Sequence, residues 1–161
     1  MDALRETENP HAGPNPGLLR PPIIFLCAIL VGIGLNRAWP LHFLSPSVRL
    51  LGPLVTTCAV VLFLLSYREF RRAGTSVQGS KGSTVIVRTG PYRFSRNPIY
   101  LAFILFVLGL SVWLNNAWLL VTLVPAFGLM AAVVIPREER FLERNFNDQY
   151  SSYKARVRRW L

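Results

Sequence analysis

Four long apolar segments limit the folds that are open to this 161-residue chain. A bilayer core is about 30 Å thick and a helix rises 1.5 Å per residue, so roughly 20 apolar residues are enough to cross it. The first segment is the shortest and needs the following AWPLHFL stretch to complete a crossing. Arg49, near the outer end of the second, is the only charged residue in the four, which are Pro21–Leu35, about Val48–Tyr67, Pro98–Leu114 and Ala117–Pro136.

Composition supports a membrane protein over a soluble one. Hydrophobic residues make up 52% of the chain and charged residues 16%, whereas a soluble domain carries about 25% charged residues. This composition excludes a disordered chain, which needs low hydrophobicity and high charge. The formal net charge is +10, but the basic residues flank apolar segments instead of forming one soluble face. We therefore expect contact with membrane lipids and no binding of nucleic acid.

The connections between the segments predict the topology. Asn115 and Asn116 alone join the last two segments, which predicts an antiparallel helical hairpin over residues 98–136. Seven basic residues and one acid lie between positions 68 and 96, and seven basic residues and four acids follow position 136. Since positive loops stay inside, we expect four crossings with both termini and the 68–97 loop cytoplasmic. The polar Met1–Leu19 segment does not resemble a signal peptide, and the small size favours the cytoplasmic membrane of a prokaryote.

The predicted fold class is therefore all-α and integral to the membrane, with four transmembrane helices, a cytoplasmic loop and a C-terminal amphipathic helix. We divide it into a polar segment (1–20), a two-helix membrane hairpin (21–67) and a C-terminal half (68–161). Apolar residues recur at helical spacing in the tail and predict a helix that lies on an anionic membrane surface or folds back over the loop. They are Leu142, Phe146, Tyr150, Tyr153, Val157 and Trp160.

The candidate functional residues lie in the loop and in the tail. Thr84–Tyr92 reads as a short extended piece that ends in a Gly-Pro turn, and Asn97 and Pro98 suit the N-cap and first turn of the third helix. Glu138 and Glu139 lie directly after the fourth apolar segment. The simplest interpretation of these two carboxylates is an interfacial salt bridge with neighbouring arginines, Arg137 and Arg140. No metal site is expected, because Cys27, Cys58, His11 and His42 form no ligand cluster.

The order of motifs in the C-terminal half resembles one enzyme superfamily. The stretch GPYRFSRNPIY (Gly90–Tyr100), an apolar hairpin, and the tail from Pro136 to Leu161 are similar to isoprenylcysteine carboxyl methyltransferases and phospholipid N-methyltransferases. Asn97 departs from the pattern, because these enzymes usually have a histidine there, and asparagine does not titrate near neutrality. The positions that match in order are Gly90, Tyr92, Arg96, Pro98, Tyr100, Glu138, Glu139, Phe146, Tyr150 and Tyr153.

The resemblance implies an integral-membrane methyltransferase that uses S-adenosyl-L-methionine and a lipophilic methyl acceptor. The acceptor is left open between the carboxylate of an isoprenylcysteine-like substrate, the amine of a lipid and a small thiol. Arg96, Arg137 and Glu138 are the implied catalytic residues, and Arg156 is a further arginine able to orient an anionic group. The implied cofactor-binding residues are Gly90, Tyr92, Asn97, Pro98, Tyr100, Glu138 and Glu139.

Two other classes of function are compatible with the sequence. A non-catalytic membrane adaptor would bind no cofactor, and its glutamate pair would be replaceable. An NADPH-dependent membrane reductase is the other alternative, because sterol reductases resemble the same superfamily in their C-terminal half. Methyl transfer and hydride transfer distinguish the two enzyme classes.

Overall fold

The computed structural model describes residues 20–74 and 85–160, and the regular structure in these ranges is entirely helical. Residues 86–88, inside the predicted extended piece, are irregular. A 3-10 turn at Gly90–Arg93 precedes the third long helix, and a π turn at Met130–Val134 lies within the last one. The α-helices are α1 (Pro21–Ala38), the short α2 (Pro46–Arg49), α3 (Leu51–Arg72), α4 (Pro98–Leu114), α5 (Ala117–Leu129) and α6 (Ile135–Arg156).

The predicted membrane class is confirmed by the length and composition of these helices. Three helical runs are long and apolar enough to cross a membrane, namely Pro21–Ala38, Pro46–Arg72 and Ala117–Arg156. The apolar α4 is shorter, with 17 residues, which is at the lower limit for a spanning helix. Large apolar side chains such as Leu54 and Val124 point outward, 61% and 71% exposed, as expected of surfaces that face lipid.

Small residues bring the helices into close contact. A Cβ atom at Gly52 would overlap the backbone of Trp113, and one at Gly109 would overlap Thr56, so α3 and α4 pack with their backbones close together. Gly32 likewise allows α1 and α5 to approach closely, since a Cβ there would lie 2.8 Å from Cδ2 of Leu119. Glycine at such contacts is typical of membrane helices. The two helices of the 21–67 segment thus pack on different helices of the 98–136 hairpin.

The hairpin turn is a hydrogen-bonded corner. Asn115 adopts a left-handed conformation (φ 50°), and its Oδ1 accepts the backbone N–H groups of Phe43 and Leu44 at 3.0 and 2.9 Å. Asn116 caps α5 by accepting the N–H of Trp118, and its Nδ2 donates to the carbonyl oxygen of Gly32. The two asparagines therefore tie the turn both to α1 and to the segment that follows it.

The opposite end of the bundle, which we call the loop end, holds the start of α1, the end of α3, the start of α4 and all of α6 beyond residue 136. Residues 85–97 and the tail contact one another there, as shown by the hydrogen bond from the Arg96 N–H to the Arg158 carbonyl. The predicted loop and tail thus share one end of the molecule. Residues 75–84 of the predicted loop and the N-terminal 1–19 lie outside the described residues.

The tail differs from the single amphipathic helix that its apolar spacing predicts. α5, the π turn and α6 form one continuous helical run, but Asn147 (φ 37°, ψ −114°) breaks the helical geometry, and α6 ends at Arg156. Val157 and Trp160 of the predicted stripe therefore lie beyond the helix. Tyr150 and Tyr153 are buried, at 2% and 7% exposure. Of the two predicted placements, the tail adopts the one that folds back over the loop.

Candidate functional site

The Gly90–Arg93 turn is docked on the end of α3. Gly90 has a φ of 59°, which favours glycine, and a Cβ there would lie 2.8 Å from Cγ of Glu69. The Thr89 hydroxyl donates to the Glu69 carboxylate, and the ring of Tyr92 packs edge-on against Phe70 with 5.2 Å between centroids. These contacts explain why glycine occupies position 90. They fix the path of the chain that leads into α4.

Tyr92 is a buried phenol at the centre of the loop end, 5% exposed. Its burial raises the pKa of the hydroxyl, and Tyr153 and the carboxylates of Glu138 and Glu69 raise it further. Tyr92 is therefore neutral at any physiological pH. The Tyr153 hydroxyl donates to the Tyr92 carbonyl oxygen at 2.7 Å, so the tail is bonded directly to the turn.

Glu138, at the start of α6, faces the first turn of α4. The Tyr100 hydroxyl lies 2.6 Å from both of its carboxylate oxygens and donates to them. Glu138 is half-buried. The Tyr100 hydroxyl thus holds the carboxylate of Glu138 beside the first turn of α4.

Glu139, the neighbouring carboxylate, is buried in an ion-pair network. Its Oε1 lies 3.1 Å from Nη1 of Arg96, and its Oε2 lies 2.7 Å from Nη2 of Arg159. Arg159 also donates through Nε to Oε1 at 3.1 Å, which makes this contact bidentate, and the bond to Glu139 raises the pKa of Arg159. The expected pairing with Arg137 and Arg140 is wrong for Glu139. Arg137 is exposed, and the Nε of Arg140 donates to a backbone carbonyl in its own helix.

Residues 157–160 form what we call the C-terminal strap. The carbonyl oxygen of Arg159 accepts from the Ser95 hydroxyl at 3.2 Å and from Nδ2 of Asn97 at 3.1 Å. The ring of Trp160 packs on Phe127 of α5, with 5.4 Å between centroids. Asn97 occupies the N-cap position of α4, but its side chain makes no capping hydrogen bond, contrary to the sequence prediction. Its amide holds the strap instead.

The loop end gathers most of the predicted site residues and separates two of them. Tyr92, Asn97, Pro98, Tyr100, Arg96, Glu138 and Glu139 cluster there, whereas Gly90 shapes the turn and Arg137 points to the exterior. One buried donor in the cluster is left over: Nε of Arg96 has no hydrogen-bond partner among the described residues. The side chain of Arg96 is 10% exposed, and an unpaired buried N–H costs free energy unless a ligand or water accepts from it.

Three residues of this network had no signal in the sequence. Arg159 is one of several basic residues at the C-terminus, and the spacing sets it off the apolar stripe. Ser95 lies between two arginines in a polar loop, and Glu69 is the lone acid among the basic residues that end α3. Their partners come from distant parts of the chain, which only the fold brings together.

A family model described as phospholipid methyltransferase matches residues 48–149 of the chain. The match begins just before α3 and covers the Gly90–Tyr100 motif, the 98–136 hairpin and both glutamates. It ends one residue before Tyr150, so the strap lies outside it. More than half of the chain is matched, and the matched part contains the cluster at the loop end except for its tail contacts.

Curated relatives have names that refer to metal resistance. The nickel-cobalt-cadmium resistance protein NccN of Alcaligenes xylosoxydans xylosoxydans is 30% identical over 136 residues, which are 83% of this chain and 57% of the relative. The cobalt-zinc-cadmium resistance protein CzcN of Cupriavidus metallidurans is 32% identical over 143 residues, 88% of this chain and 60% of the relative. An uncharacterized protein of Haemophilus influenzae is 36% identical over 63 residues, its full length. The chain thus spans a little over half of the first two relatives.

Proposed function

The chain belongs to the phospholipid methyltransferase family, and on that premise we propose that it is a membrane methyltransferase. The proposed methyl donor is S-adenosyl-L-methionine, and the proposed acceptor is a lipophilic molecule. The observation that carries the proposal is the family match across the loop-end cluster. The chemistry of that cluster supports it independently.

The residues of the cluster fit the charges of this cofactor. Its amino-acid end is a zwitterion, its sulfonium is a cation, and its ribose carries hydroxyl groups. The half-buried Glu138 is a suitable acceptor for the amino group or the ribose hydroxyls. The unpaired buried Nε of Arg96 is a suitable donor to a carboxylate. The rings of Tyr92 and Tyr100 are suited to a cation or to adenine, because aromatic faces attract positive charge.

When bound, the cofactor supplies an electrophilic methyl group for in-line displacement. The chain's own contribution is to hold the reacting partners in position, which is worth up to about 7–11 kcal/mol in well-oriented systems. Glu139, Arg96 and Arg159 fix α6 against α4, and Tyr100 fixes the carboxylate of Glu138. If the acceptor is an amine, we assign the removal of its proton to the carboxylate of Glu138. A carboxylate acceptor needs no base.

Gly90, Asn97, Pro98 and Glu139 take a different part in this proposal from the one that the resemblance implies. Gly90, Asn97 and Glu139 make contacts that hold the turn, the strap and α6, and Pro98 is buried at the start of α4. We therefore propose that these four residues support the cofactor site without touching the cofactor. Arg137 is exposed next to Glu138, and we propose that it meets an anionic group of an approaching acceptor.

We also propose the orientation of the chain in the membrane. Arg20, Arg68, Arg71, Arg72 and the arginines of α6 and the strap all lie at the loop end, whereas Arg37 and Arg49 lie near the hairpin turn. This asymmetry supports a loop end that faces the cytoplasm, where S-adenosyl-L-methionine is made. The lipophilic acceptor then enters sideways from the bilayer between membrane helices.

A non-catalytic role in metal resistance is the second candidate, and the names of NccN and CzcN favour it. In that role the loop end would serve to bind another protein. Direct metal binding has no support in residues 20–74 and 85–160, where no group of three or more His, Cys, Asp or Glu side chains is suited to hold an ion. The family match favours methyl transfer over the NADPH-dependent reductase.

The experiment that tests the proposal follows a labelled methyl group. Membranes that contain the chain are incubated with methyl-labelled S-adenosyl-L-methionine and, in parallel, with a prenylcysteine, a phospholipid amine and a lipophilic thiol. We expect label in one acceptor, lost in Glu138→Gln and retained in Glu143→Gln, a control that neutralises an exposed glutamate paired with Lys154. Transfer that is equal in both variants would remove Glu138 from the site. A folded chain that binds no cofactor would favour the non-catalytic role.

A further inference from the structure

A pocket of about 370 Å³ lies at the loop end, between the segment before α4 and the last turns of α6. The pocket is distinct from the Glu138 cluster, because neither glutamate, Arg96 nor Tyr100 lines it. Half of its lining residues are arginines and none is acidic. The lining consists of Arg88, Arg93, Ser152, Tyr153, Arg156 and Val157.

The three arginines reach this pocket from separate parts of the chain. Arg88 lies before the 3-10 turn, Arg93 ends that turn, and Arg156 is the last residue of α6. Nη2 of the Arg88 guanidinium donates to the carbonyl oxygen of Gln149 at 2.7 Å. This bond joins the loop to the tail and holds the Arg88 side chain in place. The Tyr153 hydroxyl donates to the Tyr92 carbonyl oxygen, so this lining residue is also held in place.

Helix stability accounts for only one of the three arginines, all of which are exposed. A positive charge at the C-terminus of α6 is favoured by the helix dipole, which accounts for Arg156. The dipole does not account for Arg88 and Arg93, which lie outside any α-helix and bring two further positive charges to the same pocket. Like charges gathered in this way repel one another. A bound anion removes the repulsion, and guanidinium groups bind phosphate through paired N–H donors.

We propose that this pocket binds a phosphate group, with Arg88, Arg93 and Arg156 as its ligands. Inorganic phosphate and the headgroup of an anionic lipid offer the same chemistry, and the surroundings favour the lipid. Phe94, next to Arg93, is 72% exposed, and an exposed aromatic ring beside basic residues is typical of the headgroup level of a membrane. The site does not depend on the proposed methyl transfer, because none of its arginines belongs to the Glu138 cluster.

The test compares two lipids on the full-length protein. The detergent-purified chain is mixed with equal amounts of phosphatidylglycerol and phosphatidylcholine, and the retained lipid is counted by native mass spectrometry. We expect one molecule of phosphatidylglycerol to be retained at least tenfold over phosphatidylcholine. The variant Arg93→Gln/Arg156→Gln should lose this preference to within about twofold, which is a loss of about 1 kcal/mol for a fivefold change. It leaves the Arg88–Gln149 contact intact, so the tail remains anchored.

The control variant Arg71→Gln/Arg140→Gln removes two exposed arginines from the same end of the molecule and should retain the preference. Inorganic phosphate is titrated in a parallel calorimetric experiment without lipid. Phosphate binding that is lost in the pocket variant alone, without a preference between lipids, would support the phosphate site and assign it to a soluble ligand. A preference that survives in the pocket variant, or that falls equally in both variants, would overturn the proposal, as would binding of neither probe.

Discussion

The hydroxyl of Tyr100 donates to the carboxylate of Glu138, at 2.6 Å from each of its oxygens. The bond joins the first turn of α4 to the first turn of α6, so the two apolar helices of the hairpin are tied at the end where their polar neighbours gather. The next residue, Glu139, faces Arg96 and Arg159 instead. Two adjacent carboxylates thus have separate partners: Glu138 is half-buried and bonded to Tyr100, and Glu139 lies inside the network that holds the tail.

Neutralising Glu139 should destabilise the protein. The Glu139→Gln substitution leaves Arg96, only 10% exposed, without its ion-pair partner. The loss of one partner from a buried pair costs about 3–5 kcal/mol, and we expect the lower end, because Arg159 is partly exposed. The midpoint of thermal unfolding in detergent measures this change. Glu143→Gln, in the exposed pair with Lys154, is the control and should cost at most about 1 kcal/mol. Equal midpoints for the two variants would contradict the role of the Glu139 network.

Histidine should replace Asn97 without releasing the strap. Nδ2 of Asn97 donates to the Arg159 carbonyl oxygen, and an imidazole N–H is able to make the same bond. Asn97→His should therefore keep the strap closed, whereas Asn97→Leu should open it. Limited trypsin digestion followed by mass spectrometry reports the opening as faster cleavage after Arg158 and Arg159. Asn145→Leu, at an exposed site of α6, is the control, and cleavage as slow in Asn97→Leu as in this control would contradict the prediction.

Alanine at position 90 should cost more than alanine at position 74. Both glycines have a positive φ, 59° and 62°, and both substitutions carry the backbone strain of about 1–2 kcal/mol. Among the residues that the structure describes, only Gly90 also meets a neighbour, because the methyl group of an alanine there would lie 2.8 Å from Cγ of Glu69. Chemical denaturation measures the free energy of unfolding of both variants, and the difference between their two losses reports the contact with Glu69. Equal losses of stability would contradict a close contact between the turn at Gly90 and Glu69 of α3.

The membrane helices were predictable because each one is indicated by the apolar residues of its own segment. Long apolar segments with few or no charges indicate spanning helices from their own residues alone. The Asn115-Asn116 connection is so short that the last two helices must run antiparallel. The contact of α1 with α5 was not predictable, since it depends on how Gly32 fits against Leu119. A hairpin of the first two helices is equally compatible with the same residues.

Most of the predicted site residues lie together at the loop end, but their contacts were not predictable, and Arg159 and Ser95 were missed. Glu138 and Glu139 are consecutive on a helix and point about 100° apart, so a pair in the sequence becomes two separate contacts in the fold. Of the two partners of Glu139, Arg159 comes from beyond the break at Asn147. The apolar spacing of the tail continues across that break and gives no sign of it. The role of Asn97 became visible only with the carbonyl oxygen of Arg159 beside it.

The most direct test of the central claim is calorimetric binding of S-adenosyl-L-methionine to the purified chain, with Glu138→Gln and Glu143→Gln beside it. We predict micromolar binding by the wild type and by Glu143→Gln. In Glu138→Gln the affinity should fall at least tenfold, about 1.4 kcal/mol, while the thermal midpoint is retained. No binding by the folded wild type, or equal affinity in all three proteins, would contradict a cofactor site at Glu138.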